Sequence, residues 1–438
     1  MWMQLNKSAF SLAMVLASIM AMGQAAEDAK ERQEQDKQWL KKTALTNVEV
    51  NILGSYYSQD GNHSAVTGGT GTEELTDITP AVIVIIPLDS TRQLTFDGGA
   101  DIITSASTDN IDFNVSGDSR NDLRYHLNVT YTKRLARPRL TYSLSAGFSK
   151  EYDVFAKSIG GSLTKEPRDG NSTFTLSGQA FFDAWKLYYP VELRPPGSND
   201  EDPQGNDNRN SYNFGLVYSQ VLSKRLQVSF TADVVLQDGL LGTPFHRVFF
   251  NDGVNVDGLS TVEIMRSNKL RIVENLPRSR TRIPLGVKLN YYISDLFVFR
   301  GTYRYYSDDF DVTGHTFSVD LPVKVTPFIS ITPFYRYHTQ TASRYFKPFG
   351  EHEINTEFFT SDYDQSAFNS SKYGLGIRYS PLYDIGIFKT PFTKKGKNKF
   401  THLKAIELRY AYYDRSDGLN ASVISFDLSF DLMTGKRR

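Results

Sequence analysis

The sequence predicts an all-β fold, a transmembrane antiparallel β-barrel of about 16 strands with 14 or 18 as alternatives, and three observations carry that expectation. From Ala421 to Leu432 the chain alternates, with Ile424, Phe426, Leu428, Phe430 and Leu432 on one face of a strand and Ser425, Asp427, Ser429 and Asp431 on the other. An apolar face and a carboxylate-bearing face suit lipid outside and a wet lumen inside. Aromatic residues are abundant, Tyr 25 and Phe 29 against Trp 3, and many lie near the ends of alternating segments, where an interfacial girdle would place them. The joints between segments are short and long by turns.

Bulk composition points elsewhere. With 40% hydrophobic residues, 22% charged residues and a mean hydropathy of -0.38, the chain looks like a soluble protein, and a soluble all-β sandwich is the competing reading. Alternation halves the apparent hydropathy of every spanning segment, so this average does not argue against a barrel.

Residues 1–25 read as a signal peptide: Lys7, an uncharged apolar run from Ala9 to Met22, then Gly23, Gln24, Ala25 and Ala26, with cleavage after Ala25. Residues 26–45 form a polar periplasmic lead, residues 46–433 the barrel and residues 434–438 a periplasmic tail. No later segment is apolar and long enough for a transmembrane helix. The absence of cysteine excludes a lipoprotein anchor and disulfides, and a formal net charge of zero gives no reason to expect nucleic acid.

The strands follow in order. The first carries Val48, Val50, Ile52 and Tyr56 on one face; the second is the run Ala81 to Ile86; the third has Leu94, Phe96, Ala100 and Ile102. Leu123 to Tyr131 and Leu140 to Phe148 alternate cleanly across a turn with Arg137 and Pro138, and Phe155 to Leu163 and Phe174 to Phe182 flank a turn at 168–171. A Pro- and Gly-rich loop from Lys186 to Asn210 precedes Tyr212 to Tyr218 and Leu226 to Leu236. After a long loop come Ile283 to Tyr291, Phe297 to Tyr305, Phe317 to Val325, Ile329 to Tyr337, Tyr373 to Tyr379, Ile406 to Tyr412 and the closing strand. The joints at 88–92, 134–138, 222–225, 293–296 and 326–327 are short and lie between longer ones, as periplasmic turns lie between external loops, which puts both termini in the periplasm. The joint after Ser149 is short for an outer loop, that from Pro381 to Lys399 is long for a periplasmic turn, and Pro80, Pro284, Pro322 and Pro333 fall within or beside strands that should not want them.

The stretch Tyr56 to Asp77, YYSQDGNHSAVTGGTGTEELTD, together with Thr104 to Asp112, TSASTDNID, resembles a family of exported proteins of Gram-negative bacteria, a domain-of-unknown-function family of outer-membrane β-barrels. The resemblance is strongest over the first third. It implies a barrel and supplies no activity or catalytic residue.

In the first external loop Gly68, Gly69 and Gly71 lack the Lys-Ser/Thr and helix of a phosphate loop; they let the loop fold into the barrel mouth. Asp60, Glu73, Glu74 and Asp77, with Asp109 and Asp112 in the next outer loop, are candidate oxygen ligands for Ca²⁺, although no spacing matches a known cage. No other metal and no cofactor is implied. His63 and Ser64 are neighbours and on a strand point to opposite faces, so they make a poor hydrolytic pair. The histidines at 126, 246, 315, 338, 352 and 402 show no ligand spacing, and of these His126 and His338 fall on lumen faces.

The lumen carries the functional expectation. Lys288, Arg300, Arg304, Lys324, Arg336, Arg378 and Arg409 point inward as a basic strip, with Asp320, Glu407, Asp427 and Asp431 as acidic partners. Opposed charges across a constriction orient polar solutes, and an excess of basic ones favours anions; the structural alternative is charges that pair and fill a closed interior. The loop from Asp238 to Thr281 has the apolar content to fold inward and plug the lumen. Tyr345, Phe346, Phe349, Phe358 and Phe359, in the outer loop from Thr341 to Ser371, suggest a docking surface. The first reading is therefore a porin-like outer-membrane pore or transporter for small polar, preferentially anionic, solutes. The second is a non-conducting barrel that meets other envelope proteins through its outer loops. A Ca²⁺-dependent hydrolase is the weakest, and the chain is read as no enzyme.

Overall fold

A computed structural model describes residues 30–39, 47–105, 121–198, 202–381, 388–389 and 399–434. Residues 1–25, read from the sequence as a signal peptide, residues 435–438 of the expected tail, and Asp109 and Asp112 lie outside these.

The first nine strands are β1 (Val48–Asp60), β2 (Leu75–Pro87), β3 (Arg92–Ser105), β4 (Asn121–Leu135), β5 (Leu140–Lys150), β6 (Val154–Lys165), β7 (Ser172–Leu187), β8 (Gly205–Ser223) and β9 (Leu226–Gly239), each antiparallel to the next. A short hairpin of β10 (Arg247–Phe249) and β11 (Arg271–Val273) interrupts the series. The wall resumes with β12 (Ser279–Tyr292), which pairs with β9, then β13 (Val298–Asp308), β14 (Thr313–Asp320), β15 (Val323–Lys324), β16 (Ile329–Gln340), β17 (Phe368–Tyr379), β18 (Phe388–Lys389), β19 (Lys399–Arg415) and β20 (Asn420–Thr434). Strand β20 returns to β1 in unbroken register from Val48↔Leu432 to Asp60↔Asn420, which closes the sheet. Because β14 and β15 both pair with β16, and β17 and β18 both pair with β19, each couple forms one stave and the result is a closed antiparallel barrel of 16 staves, as the alternation predicts. Closure gives each stave of the wall a neighbour on both sides among the described residues, the condition for crossing a bilayer with strands.

Period-two alternation sets which way each residue faces. The large apolar side chains expected outside are exposed there, among them Leu123, Leu144, Ile159, Phe214, Phe317, Leu408 and Phe426. Most of the large buried apolar residues lie elsewhere, Val248, Phe249, Phe250, Ile264, Met265, Leu276 and Phe359 in the long joints and Phe310 in the short β13–β14 joint. This chain buries its grease in its loops and presents the apolar side of its sheet outward.

Three of the awkward prolines have local explanations. Pro80 pairs with Gly54 of β1, but toward β3 the pairing is interrupted between Ile78↔Ile102 and Ala81↔Gly99; Pro284 likewise falls in the gap between Arg282↔Val235 and Leu285↔Ala232. Pro322 lies in the break between β14 and β15. A residue without an N–H sits where the ladder needs none. The short joint after Ser149 is a tight connection through Glu151, Tyr152 and Asp153 at the long-loop end.

At the opposite end, with the short turns, residues 30–39 of the polar lead form a helix, α1. Asp36 and Trp39, three residues apart and therefore on one face, are its buried positions. The Asp36 carboxylate meets Arg137 at 3.0 Å and Arg139 at 3.2 Å from the β4–β5 turn and Arg168 at 3.6 Å from the β6–β7 turn. The lead is thus docked against the barrel.

Candidate functional site

Two sectors of the lumen differ in charge. On β12 to β19 the cross-strand register runs Lys288, Thr302, Ser318, Arg336, Lys372 in one row, so three cations share a level and Arg336 and Lys372 are direct neighbours. Arg300 is opposite Asp320, and a lower row runs Lys324, Ser330, Arg378, Glu407, Asp427. Glu407 takes two of the expected arginines, Arg378 at 3.1 Å and Arg409 at 2.5 Å, and Arg409 also lies over the Phe334 ring. Asp427 accepts a hydrogen bond from the Ser429 hydroxyl, and Asp431 lies 3.6 Å from Lys404, which also reaches Glu49 at 2.9 Å. Lys288, Arg300, Arg304, Lys324 and Arg336 remain: all five are exposed, and none has a carboxylate within 4.0 Å among the described residues.

The sector from β3 to β9 carries charges that the sequence reading passed over. Arg124 lies 3.2 Å from Glu151 and 3.7 Å from Asp101, and Arg209 bonds Asp183 at 2.9 Å while stacking on Trp185. These side chains, with His126, Gln179, Gln237 and Arg282, line a lumenal cavity of about 890 Å³. Their inward parity was readable; their pairing across staves was not.

The long-loop mouth is crossed by a lid. In a ring of 16 staves the β1–β2 joint and the β9–β12 joint are diametrically opposed, yet Arg247 of the latter donates to the Val66 carbonyl of the former at 2.8 Å. That contact requires the first and fifth loops between them to span the opening. Arg247 is fully buried and also bonds Glu192 of the β7–β8 joint at 2.7 and 3.2 Å, and Arg271 meets the same carboxylate at 3.1 Å. Burial pushes the Glu192 carboxyl up, but the two guanidinium groups outweigh it and hold it below its ordinary value. A short helix, α2 (Thr261–Arg266), starts on a Ser260/Glu263 capping box and packs Ile264 and Met265 against Phe249. Gly68 has φ +80°, and a Cβ there would sit 2.5 Å from the Phe249 ring, so the glycine-rich first loop is fitted to the lid.

Other expectations fare differently. Phe359 is buried against Val248 and Phe250; Phe349 packs on Phe249, Tyr345 on Phe310 and Phe358, and Phe346 on Tyr363, so these five aromatics pack into the lid, Phe359 buried and the other four half-buried. His63 stacks on Tyr363 and donates to the Gly69 carbonyl, and Ser64 is buried, which leaves no hydrolytic pair. Asp60, Glu73, Glu74 and Asp77 do not converge on a common point among the described residues; Asp77 accepts from Thr79 at 2.8 Å. His246, read from spacing as unpaired, lies instead with Glu274 and Asp362, their donor atoms all within 4.8 Å of one another. Loop folding brings these together from positions that no local motif connects.

The family described as Protein of unknown function (DUF3570) matches residues 116–382, more than half of the chain. The chain belongs to that family. The DUF3570 match begins just after Tyr56–Asp77 and Thr104–Asp112, the two stretches that carry the sequence resemblance. No sequence match was found among curated proteins. Solved structures similar in outline include Pseudomonas aeruginosa OccK1 (OpdK), 7% identical, TM-score 0.38, covering 90% of this chain and 100% of that one. The ferric enterobactin receptor PfeA of Pseudomonas aeruginosa is 12% identical with TM-score 0.41, covering 85% and 54%. The siderophore receptor PirA of Acinetobacter baumannii is 10% identical with TM-score 0.38, covering 84% and 53%. This chain spans about half the length of those two receptors.

Proposed function

We propose that this protein is an outer-membrane channel for small polar solutes, with anions preferred, whose outer mouth is spanned by its own first and fifth loops. The observation that carries the reading is the set of exposed, unpaired cations Lys288, Arg300, Arg304, Lys324 and Arg336 on one lumenal sector. Charges kept only to fill a closed interior pair with one another, as Arg378 and Arg409 do with Glu407. An exterior of large exposed apolar side chains calls for lipid, and the short turns and both termini belong on the periplasmic side. A second reading, a non-conducting barrel that serves as a structural partner in the envelope, draws on the lid, since loops that meet across the opening obstruct it.

Planar-bilayer recordings of the refolded barrel under a salt gradient test the choice. Conductance with an anion-selective reversal potential, displaced toward cations by Arg300→Glu with Arg336→Glu, supports the channel. A folded barrel that conducts nothing, even after the lid is released by Arg247→Ala, supports the second reading.

A further inference from the structure

His246 directly precedes β10 and Glu274 directly follows β11, so the hairpin register sets them side by side, with the Glu274 N–H donating to the His246 carbonyl at 3.0 Å. Asp362 comes from the β16–β17 joint, where it caps a turn at Tyr363–Gln365. Three donors from two loops thus face one point.

Their spacing is wrong for direct bonding. His246 Nδ1 lies 3.7 Å from Glu274 Oε2, beyond a hydrogen bond, and this nitrogen is shielded from solvent with no hydrogen-bond partner among the described residues. Two ligands each about 2.1 Å from a tetrahedral ion stand roughly 3.4 Å apart, close to that separation. The carboxylates are also oriented from behind. Glu274 accepts from the Thr243 N–H at 2.6 Å and from the Thr360 hydroxyl, and Asp362 accepts from the Asp364 N–H at 2.9 Å. Such outer bonds aim metal-binding carboxylates.

The charge balance asks for a cation. The Glu274 side chain is 3% exposed, and neither Glu274 nor Asp362 has a Lys or Arg within 4.0 Å among the described residues. Arg415, at the edge of this region, is engaged by Asp364 and Asp417. One buried and one half-buried carboxylate with one imidazole leave the pocket short of positive charge, which a divalent ion supplies. The imidazole disfavours Ca²⁺ or Mg²⁺ and selects a first-row transition ion of the Zn²⁺ type.

We propose that His246, Glu274 and Asp362 bind one Zn²⁺-class divalent ion, which cross-links the lid hairpin to the β16–β17 loop and holds the lid closed. The site stands whether or not the barrel conducts. Its test uses the full mature chain, refolded, stripped with chelator and dialysed against Zn²⁺. One equivalent of Zn²⁺ is expected by elemental analysis, with visible d–d absorption when Co²⁺ replaces it. His246→Asn, Glu274→Gln and Asp362→Asn, three changes on separate segments, should each weaken Zn²⁺ binding by about a hundredfold or more, while His126→Gln on the lumen wall leaves it intact. Zn²⁺ should also slow proteolysis between residues 251 and 259 at least about tenfold in the wild type and not in Asp362→Asn. Failure of the wild type to bind Zn²⁺ stoichiometrically, binding that survives both His246→Asn and Asp362→Asn, or a preference for Ca²⁺ over Zn²⁺ would each overturn the assignment.

Discussion

Arg247→Ala removes a side chain that ties three loops together at the barrel mouth. The guanidinium is fully buried, makes two hydrogen bonds to Glu192 at 2.7 and 3.2 Å, and a third to the Val66 carbonyl at 2.8 Å. Deleting one partner of a buried pair costs about 3–5 kcal/mol. Arg271 still neutralises Glu192 at 3.1 Å, and that side chain keeps 15% exposure, so the lower end applies, about 3 kcal/mol. At roughly 1.4 kcal/mol per tenfold, the lid's opening constant should rise about a hundredfold. Hydrogen exchange reads this directly. The Phe250 amide, bonded to Leu270, and the Phe359 amide, bonded to Asn275, should exchange about a hundredfold faster, while stave amides such as those in the β1–β20 ladder keep their protection. Equal acceleration in lid and staves would mean that the lid is no separate unit, and unchanged lid exchange would mean that Arg247 does not hold it; either result refutes the reasoning.

Asp36→Asn should free helix α1, seen as red-shifted emission from Trp39 and faster cleavage at Lys30 and Arg32, with the barrel intact. Burial pushes the Asp36 carboxyl up, but Arg137, Arg139 and Arg168 outweigh it and lower it, so docking is at full strength above about 3.8 and is lost as pH falls through the lower folded value. Glu73 behaves with the opposite sign: burial, reinforced by Asp364, Asp362 and Asp417 against the opposing Arg415, pushes it up to about 7 from 4.5, so docking of the first loop should weaken as pH rises from about 4.5 to about 7. Glu73→Gln should flatten that profile, measured by exchange of the Gly69 amide. Anion preference set by Arg300 and Arg336 should fade at high salt, because the screening length shrinks from about 8 Å at 0.15 M to about 3 Å at 1 M; a reversal potential independent of ionic strength would place selectivity elsewhere.

The barrel was legible because its information is local. Whether Phe426 faces lipid and Asp427 the lumen depends only on parity within β20, and parity is written in consecutive residues. Sixteen segments could be counted from such runs, and Pro80 and Pro284, which argued against the count, sit where a ladder is interrupted. The lumenal cations could be named for the same reason. Which of them stays unpaired could not, since that depends on register between staves: Arg378 and Arg409 converge on Glu407, whereas Arg300, directly opposite Asp320, forms no ion pair with it.

The lid lacked any such rule. Arg247 and Val66 are 181 residues apart, Thr360 and Glu274 are 86 apart, and Arg247 and Glu192 are 55 apart, so the contacts that define it exist only after the staves have brought their loops to one rim. Its apolar residues were visible as an excess in the 238–281 and 341–371 joints, but an excess of aromatics reads equally well as an exposed docking patch or as a core. Topology decides between them. A loop anchored at β9 and β12 that touches the β1–β2 joint must reach into the opening, and once it does, the aromatics of the β16–β17 loop have an apolar surface beneath them on which to pack. The same reach carries His246 and Glu274 to Asp362, so closing the mouth and assembling the metal-binding donors are one folding event, and loss of either should be read in the other.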